Sequence, residues 1–459
     1  MTRTKTVMFL AVVMLLAACT QAADTTTAPT TDTGPATTAD TGTATTADAG
    51  GATTTTADTG TEPSGGGLLG EIQSRGSVLC GVNETVPGIG FLNADGTRSG
   101  FDIDYCRAVA AAVLGDPEAV EYVPLDAQQR FTALAAGEID VLIRNTTWTA
   151  SRDGGEGATF LSTTFYDGQG MLVRSDSGIA AMEDLANTAI CVLSGTTTEL
   201  NLATRFVDIP YTPLTFEDNQ VLQPAFVSGQ CDGWTSDKSQ LAGVRSGFPE
   251  AEGGPEALTI LEETFSKEPL GPAVRDGDSQ WAQVVDWVVN ATILAEELGI
   301  TSENVDTFAE TDNADIRRLL GLDIESDDGT APFDPGLGLE PGWAANVIVS
   351  VGNYGEIFNR NIGPDTPLGL ERGLNNLWTN GGLLYSPPYR YSHGLRWEAA
   401  PAAASHSYQS DSEGVRSLVA KPTSPARVGP TPGHRDHLRP ALRALVQRHQ
   451  QHAGAGDPN

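Results

Sequence analysis

Val120-Glu-Tyr-Val-Pro-Leu-Asp-Ala-Gln-Gln-Arg-Phe-Thr-Ala-Leu-Ala-Ala-Gly-Glu-Ile-Asp-Val-Leu-Ile143 changes its periodicity twice. Residues 120–125 are rich in β-branched and aromatic side chains and read as a strand. Residues 128–136 are helix formers stopped by Gly137, and 139–143 form a second apolar strand. Upstream, Val78-Leu-Cys-Gly-Val82 reads as a strand. Residues 102–114 read as a helix ended by Gly115, with Tyr105, Val109, Ala112 and Val113 on one face. This β-α-β-α-β order predicts a mostly parallel sheet with helices on both faces.

The pattern then restarts. Strands are expected at 171–174, 189–193, 213–216 and 233–235, separated by helices near 181–186, 197–206 and 218–228. After Leu270-Gly-Pro-Ala-Val-Arg275 the chain turns mostly helical; 281–298 carries a stripe of Val284, Val285, Val288, Ile293 and Leu294. These features predict a two-lobed α/β fold with the second lobe inserted into the first. The first lobe takes 68–170, the second 171–275, and 276–390 returns to the first with a helical C-terminal portion. Ligands in such sheets bind beyond the carboxyl ends of the strands. Loops 83–90 and 144–152 would therefore face loops 194–198 and 236–238 across a cleft.

Both chain ends differ from this core. Residues 1–19 read as a secretory leader, with Arg3 and Lys5 ahead of an apolar run at 7–18 that is too short to span a bilayer. Its end, Leu16-Ala17-Ala18-Cys19, is similar to a bacterial lipobox, in which Cys19 would carry a lipid and anchor the protein to a membrane. An ordinary signal peptide is the alternative. Residues 20–67 repeat Thr, Ala, Gly and Asp without an apolar face, as expected of a disordered tether spanning about 35–40 Å. Residues 391–459 hold all six histidines and are net +3 against −35 elsewhere. They read either as a basic tail or, preferably, as the product of a shifted frame or a missed stop.

The net charge of −32 argues against nucleic acid as a partner. The lack of histidine before His393 excludes Ser-His-Asp and Cys-His catalysis, and most zinc sites, from the core. No cofactor or metal is expected. Four cysteines remain after Cys19, and in an exported protein they suggest two disulfides. Pairing Cys80 with Cys106 and Cys191 with Cys231 keeps each bridge within one lobe.

Three segments at strand ends carry binding chemistry. Asp140-Val-Leu-Ile-Arg-Asn-Thr-Thr-Trp-Thr-Ala-Ser-Arg152 ends in a guanidinium behind a hydroxyl-rich loop. A planar fork of donors matches a carboxylate, and Thr147 and Thr149 can complete the anion shell. A surface pairing of Arg152 with Asp153 or Glu156 is the plain alternative. Gly195-Thr196-Thr197-Thr198-Glu199 has the form of a capping box, and a helix start also attracts an anion. Asp237, in Thr235-Ser-Asp237, can either cap the helix expected at 238–244 or meet an ammonium group. One cation, one carboxylate and several hydroxyls suit a small zwitterion such as an α-amino acid.

At this point the chain resembles the family 3 solute-binding proteins, and within them the receptors of polar or general L-amino-acid ABC transporters. The likeness runs from about residue 72 to 390. It rests on Arg75-Gly-Ser-Val-Leu-Cys-Gly-Val-Asn83, Arg144-Asn-Thr-Thr-Trp-Thr149, Ser266-Lys-Glu-Pro-Leu-Gly-Pro-Ala-Val-Arg275 and Gly352-Asn-Tyr-Gly-Glu356, among others. The resemblance implies a type II periplasmic-binding-protein fold and a non-enzymatic, monomeric amino-acid receptor outside the cytoplasm. Its partners would be an L-amino acid and a permease with its ATPase. It implies that Arg152 binds the ligand carboxylate, Asp237 the ammonium, and Thr147, Thr196 and Thr197 main-chain atoms, with Thr198 a further ligand contact and Leu193 an apolar wall. Asn83 and Asn145 fall at contact positions, and Arg144 and Asn145 stand where serines are common in the family. The alternative is a dehydratase of cyclic acids on the same scaffold, using Glu84 or Asp237 as the acid.

Overall fold

The computed structural model describes residues 67–326 and 329–390, apart from the side chain of Ser326. Cys19, the leader and the 391–459 tail lie outside the described residues, as does the tether except for Gly67. A five-stranded and a six-stranded sheet form the frame, the sixth strand of the second being Lys267–Leu270 alongside Phe165–Arg174. The first runs Val120–Pro124, Val78–Val82, Val141–Leu142, Ala273–Arg275, Ala158–Phe160; its first three strands are parallel and Ala273–Arg275 is antiparallel to both neighbours. The second runs Thr212–Phe216, Ala189–Leu193, Gly233–Asp237, Phe165–Arg174, Leu258–Ile260, again with three parallel strands followed by antiparallel ones. The parallel halves are the βαβ units legible in the sequence.

The chain crosses between the sheets twice, along one short ladder. Phe165–Arg174 enters the second sheet and Lys267–Leu270 leaves it, paired antiparallel from Phe165↔Leu270 to Gly168↔Lys267. The entering strand thus begins ahead of residue 171, and Ala273–Arg275 is already back in the first sheet, so both crossings fall a few residues earlier than expected. The sulfur pairs are Cys80–Cys106 and Cys191–Cys231, with Cα atoms 6.1 and 5.7 Å apart, inside the usual span of a bridge. Each lies within one lobe.

Phe101–Leu114 is buried along almost its whole length because helices cover it on the side away from the sheet. Ser279–Glu297 starts where Asp278 accepts from the Trp281 amide at 2.8 Å, and the Trp281 indole N–H reaches the Asp140 carbonyl at 2.8 Å. Trp343–Val351 and Tyr354–Asn361 complete the layer. Their junction explains the Gly352-to-Glu356 motif. Gly352 has φ +85°, which a side chain would strain, and Asn353 and Glu356 cap each other's amides at 2.9 and 2.8 Å.

This C-terminal portion also reaches the crossing strands. Tyr354 donates to the Thr164 carbonyl at 2.8 Å. The Asn375 side chain grips Tyr166 both ways, accepting from its N–H at 2.6 Å and donating to its carbonyl at 3.1 Å. Arg372 holds Asn375 by its carbonyl and is itself paired with Glu296 through two 3.1 Å bonds.

Candidate ligand-binding cleft

The carboxyl ends of both sets of parallel strands meet at one cavity of about 310 Å³ of empty space, part of it continuous with solvent. The first lobe contributes Arg130, Arg144, Asn145, Thr147 and Arg152; the second contributes Leu193, Thr196, Thr197, Thr198, Ser236, Asp237 and Gln240. Thr149 and Glu84, also singled out in the sequence, do not line it, and neither does Asn83. Its amide instead donates to Asn145 at 3.2 Å, one layer behind the wall.

Arg152 sits in a short helix, Ala150–Gly155, rather than in the loop that the sequence suggested. Thr149 starts this helix by accepting from the Arg152 amide at 3.2 Å. The guanidinium is buried and pairs with no described carboxylate, so the surface salt bridge to Asp153 or Glu156 is not formed. It donates instead to the Thr147 carbonyl at 3.0 Å and, across the cleft, to the Gly195 carbonyl at 3.5 Å. Burial lowers its pKa, and Asp237 works against that shift.

Asp237 precedes the helix Lys238–Ser246, yet its carboxylate makes no capping bond. It accepts instead from the side-chain amide of Asn145 at 3.2 Å. Its pKa is raised well above the ordinary carboxylate value, chiefly by burial and then by the nearby Asp167 and Glu268. Asp167, in the entering strand, is itself pushed up to about 6 by burial.

Thr196 caps Thr197–Arg205, accepting from the Glu199 amide at 3.1 Å. Glu199 reaches back to the Gly195 amide at 3.0 Å, one residue beyond the usual capping-box partner. Thr197 donates to Glu268 at 2.8 Å, and Asn201 donates to the same buried carboxylate at 2.9 Å, tying this helix to the return strand.

Asn145 is the junction between the lobes. Its φ of +31° is unusual for a side chain, and asparagine tolerates it better than most residues. Its backbone amide is held by Asp102 at 2.6 Å, while its side chain spans from Asn83 to Asp237 and Gln240, the last two at 3.2 Å. Asp102 is buried, and that burial pushes its pKa up to about 7 despite the Asn145 bond and the Arg144 charge. Further contacts close the rim: Thr147 meets Thr197 at 3.4 Å, Asn219 donates to Thr85 at 3.0 Å, and Gln128 bonds Ser194. The cleft is closed.

Arg130, Ser236 and Gln240 were not among the residues expected to touch a ligand, and neither was Arg144. Arg130 opens the helix Arg130–Ala136, where a charged residue would be read as solvent-facing. Of the two candidate acids of the dehydratase alternative, Asp237 lines the cavity, whereas Glu84 pairs with Arg98 and does not. Among the described residues no group of three or more His, Cys, Asp and Glu could hold a metal ion, and no helix is long and apolar enough to cross a membrane.

The sequence pattern of bacterial extracellular solute-binding proteins, family 3, matches residues 78–304. The general L-amino acid-binding periplasmic protein AapJ of Rhizobium johnstonii is 49% identical over 324 residues, 70% of this chain and 92% of that protein. The glutamate/glutamine/aspartate/asparagine-binding protein BztA of Rhodobacter capsulatus is 47% identical over 325 residues, 70% of this chain and 93% of its own length. Among solved structures, an ABC transporter periplasmic binding protein from Brucella ovis with glutathione bound shares 48% identity. It aligns with a TM-score of 0.66 over 70% of this chain and 99% of that one. Similarity this high, over nearly the full length of these relatives, together with the two-lobed frame and its closed cleft, makes this chain a member of the family 3 bacterial extracellular solute-binding proteins.

Proposed function

We propose that this protein is the extracytoplasmic receptor of an ABC transporter, closing its two lobes around one L-amino acid and delivering it to a permease. The observation that carries this reading is the pair of opposite charges on one cavity. Arg152 comes from the first lobe and Asp237 from the second, and neither is neutralised by an ion pair. The α-carboxylate would sit on Arg152, assisted by Thr147, Thr196, Thr197 and Thr198. The ammonium would take the place of the Asn145 amide on Asp237. Leu193 supplies apolar wall, and Asn83 keeps Asn145 in position. Binding of this kind stabilises the closed form by contacts that only both lobes together can make. The names of AapJ and BztA agree with an amino-acid ligand.

The chemistry needs no catalytic residue; ATP is hydrolysed by a partner. We place the protein outside the cytoplasm as a monomer, held to the membrane by a lipid on Cys19, with 20–67 as its tether. Of the two candidate acids of the dehydratase alternative, Glu84 is paired with Arg98, and Asp237 shares its cavity with Arg152, a pairing that suits a zwitterion better than a dicarboxylate.

A melting-temperature screen against the common amino acids identifies the ligand, since a bound ligand raises apparent stability by mass action. Arg152→Ala should then weaken that ligand at least about 30-fold, equivalent to about 2 kcal/mol, while the unliganded protein stays folded. Unchanged affinity by calorimetry refutes the assignment.

A further inference from the structure

Three guanidinia, those of Arg130, Arg144 and Arg152, line a cavity to which the lobes supply one carboxylate, that of Asp237. An α-amino acid held by its main-chain groups matches its carboxylate with Arg152 and its ammonium with Asp237. Two arginines are left over, and they are not equivalent. Arg144 donates through Nε to the Leu125 carbonyl at 2.7 Å, and the carboxylates of Asp126 and Asp102 lie near enough to favour its charge.

Arg130 has no such compensation. It is 3% exposed, its bond to the Thr146 hydroxyl is stretched to 3.5 Å, and its Nε has no hydrogen-bond partner. The guanidinia of Arg152 and Arg144 repel it more than Asp237 and Glu156 attract it. The Phe131 ring, 5.2 Å away, provides a π face but no acceptor. A buried charge left in this condition needs an anion, and the cavity is where one can arrive. A neutral amide would offer Arg130 one carbonyl acceptor. A carboxylate would offer two parallel bonds and cancel the charge.

Taking the amino-acid receptor reading as its basis, we infer that the preferred ligand is an amino dicarboxylate and that Arg130 holds the carboxylate at the end of its side chain. Arg130 is then the residue that sets selectivity, while Arg152 and Asp237 recognise what all amino acids share.

L-glutamate and L-glutamine differ only in that terminal group, so calorimetric titration of the purified protein with each isolates it. Glutamate should bind at least about tenfold more tightly than glutamine. In Arg130→Gln the ratio of the two dissociation constants should fall below about threefold, and Arg130→Lys, which keeps the charge, should restore part of it. A merely structural Arg130, or one that shares the α-carboxylate with Arg152, would weaken both ligands by the same factor and leave the ratio intact. That result overturns the inference, as does equal affinity of the unaltered protein for glutamate and glutamine. Binding of other amino acids but of neither glutamate nor aspartate overturns it as well. If no amino acid binds at all, the receptor reading itself fails, which is a separate outcome.

Discussion

Gly243→Ala should separate binding from stability. Gly243 lies in the helix Lys238–Ser246 of the second lobe, and a Cβ there would stand 2.5 Å from the Pro87 carbonyl oxygen of the first. The obstacle is backbone, next to the paired strands Thr85–Val86 and Gly90–Leu92, so it cannot rotate aside. Relieving the overlap requires the rim to open by about 1 Å, and overpacking of this order costs about 1–3 kcal/mol. The penalty is felt only when the lobes are together, so it appears as a loss of ligand affinity of about 5- to 150-fold. Within the helix the same change acts in the opposite direction, because alanine is favoured over glycine by about 1 kcal/mol in a helix interior. Calorimetry should therefore show weaker binding while the melting temperature without ligand holds or rises. Unchanged affinity would falsify the closed-rim geometry. A parallel drop in unliganded stability would place the clash within one lobe and refute the argument in another way.

Burial, and then the nearby Asp167 and Glu268, hold the pKa of Asp237 well above the ordinary carboxylate value, so the charge that meets a ligand ammonium is lost at a higher pH than that of an ordinary aspartate. Affinity for the amino acid, measured by calorimetry across a pH series, should therefore weaken as pH falls; an affinity that stays constant down to the ordinary carboxylate range would contradict this. Asp102 is raised from 3.8 to about 7, so its contribution to stability is fully present below about pH 4 and is lost as pH rises through 7. The loss is of order 4 kcal/mol, and chemical denaturation of Asp102→Asn between those limits should show a flatter pH dependence than the unaltered protein. Replacing Cys191 and Cys231 together by serine opens a bridge between residues 40 apart in sequence, which should cost about 4 kcal/mol, read from the same denaturation curves.

The parallel strands and most connecting helices are legible from periodicity because each buries one repeated face. Elements without a period are not. The strands Thr85–Val86, Gly90–Leu92 and Arg98–Ser99 are too short to show one, and their hydrogen bonds come from one another rather than from any local preference. Ala150–Gly155 contains two glycines and is helical only because Thr149 caps it and Arg152 anchors it in the cleft. Arg152 and Asp237 could be named from their places at strand ends, but which of their competing roles holds depends on neighbours distant in sequence. Arg130 was invisible for the same reason: nothing near it in the chain indicates that its guanidinium is buried beside two others. Asn83 does not line the cavity and donates to Asn145, a neighbour 62 residues away that no local pattern indicates.

Beyond the grip of Asn375 on Tyr166, the connection between the lobes narrows to two paired strands, Asp167 and Gly168 on one side, Lys267 and Glu268 on the other. Any swing of one lobe against the other turns about this narrow fulcrum, so groups beside it travel little and groups far out on the lever travel most. Dyes attached on either side of the mouth would report occupancy far better than dyes near the fulcrum, which makes the protein a scaffold for an optical sensor of whatever it captures.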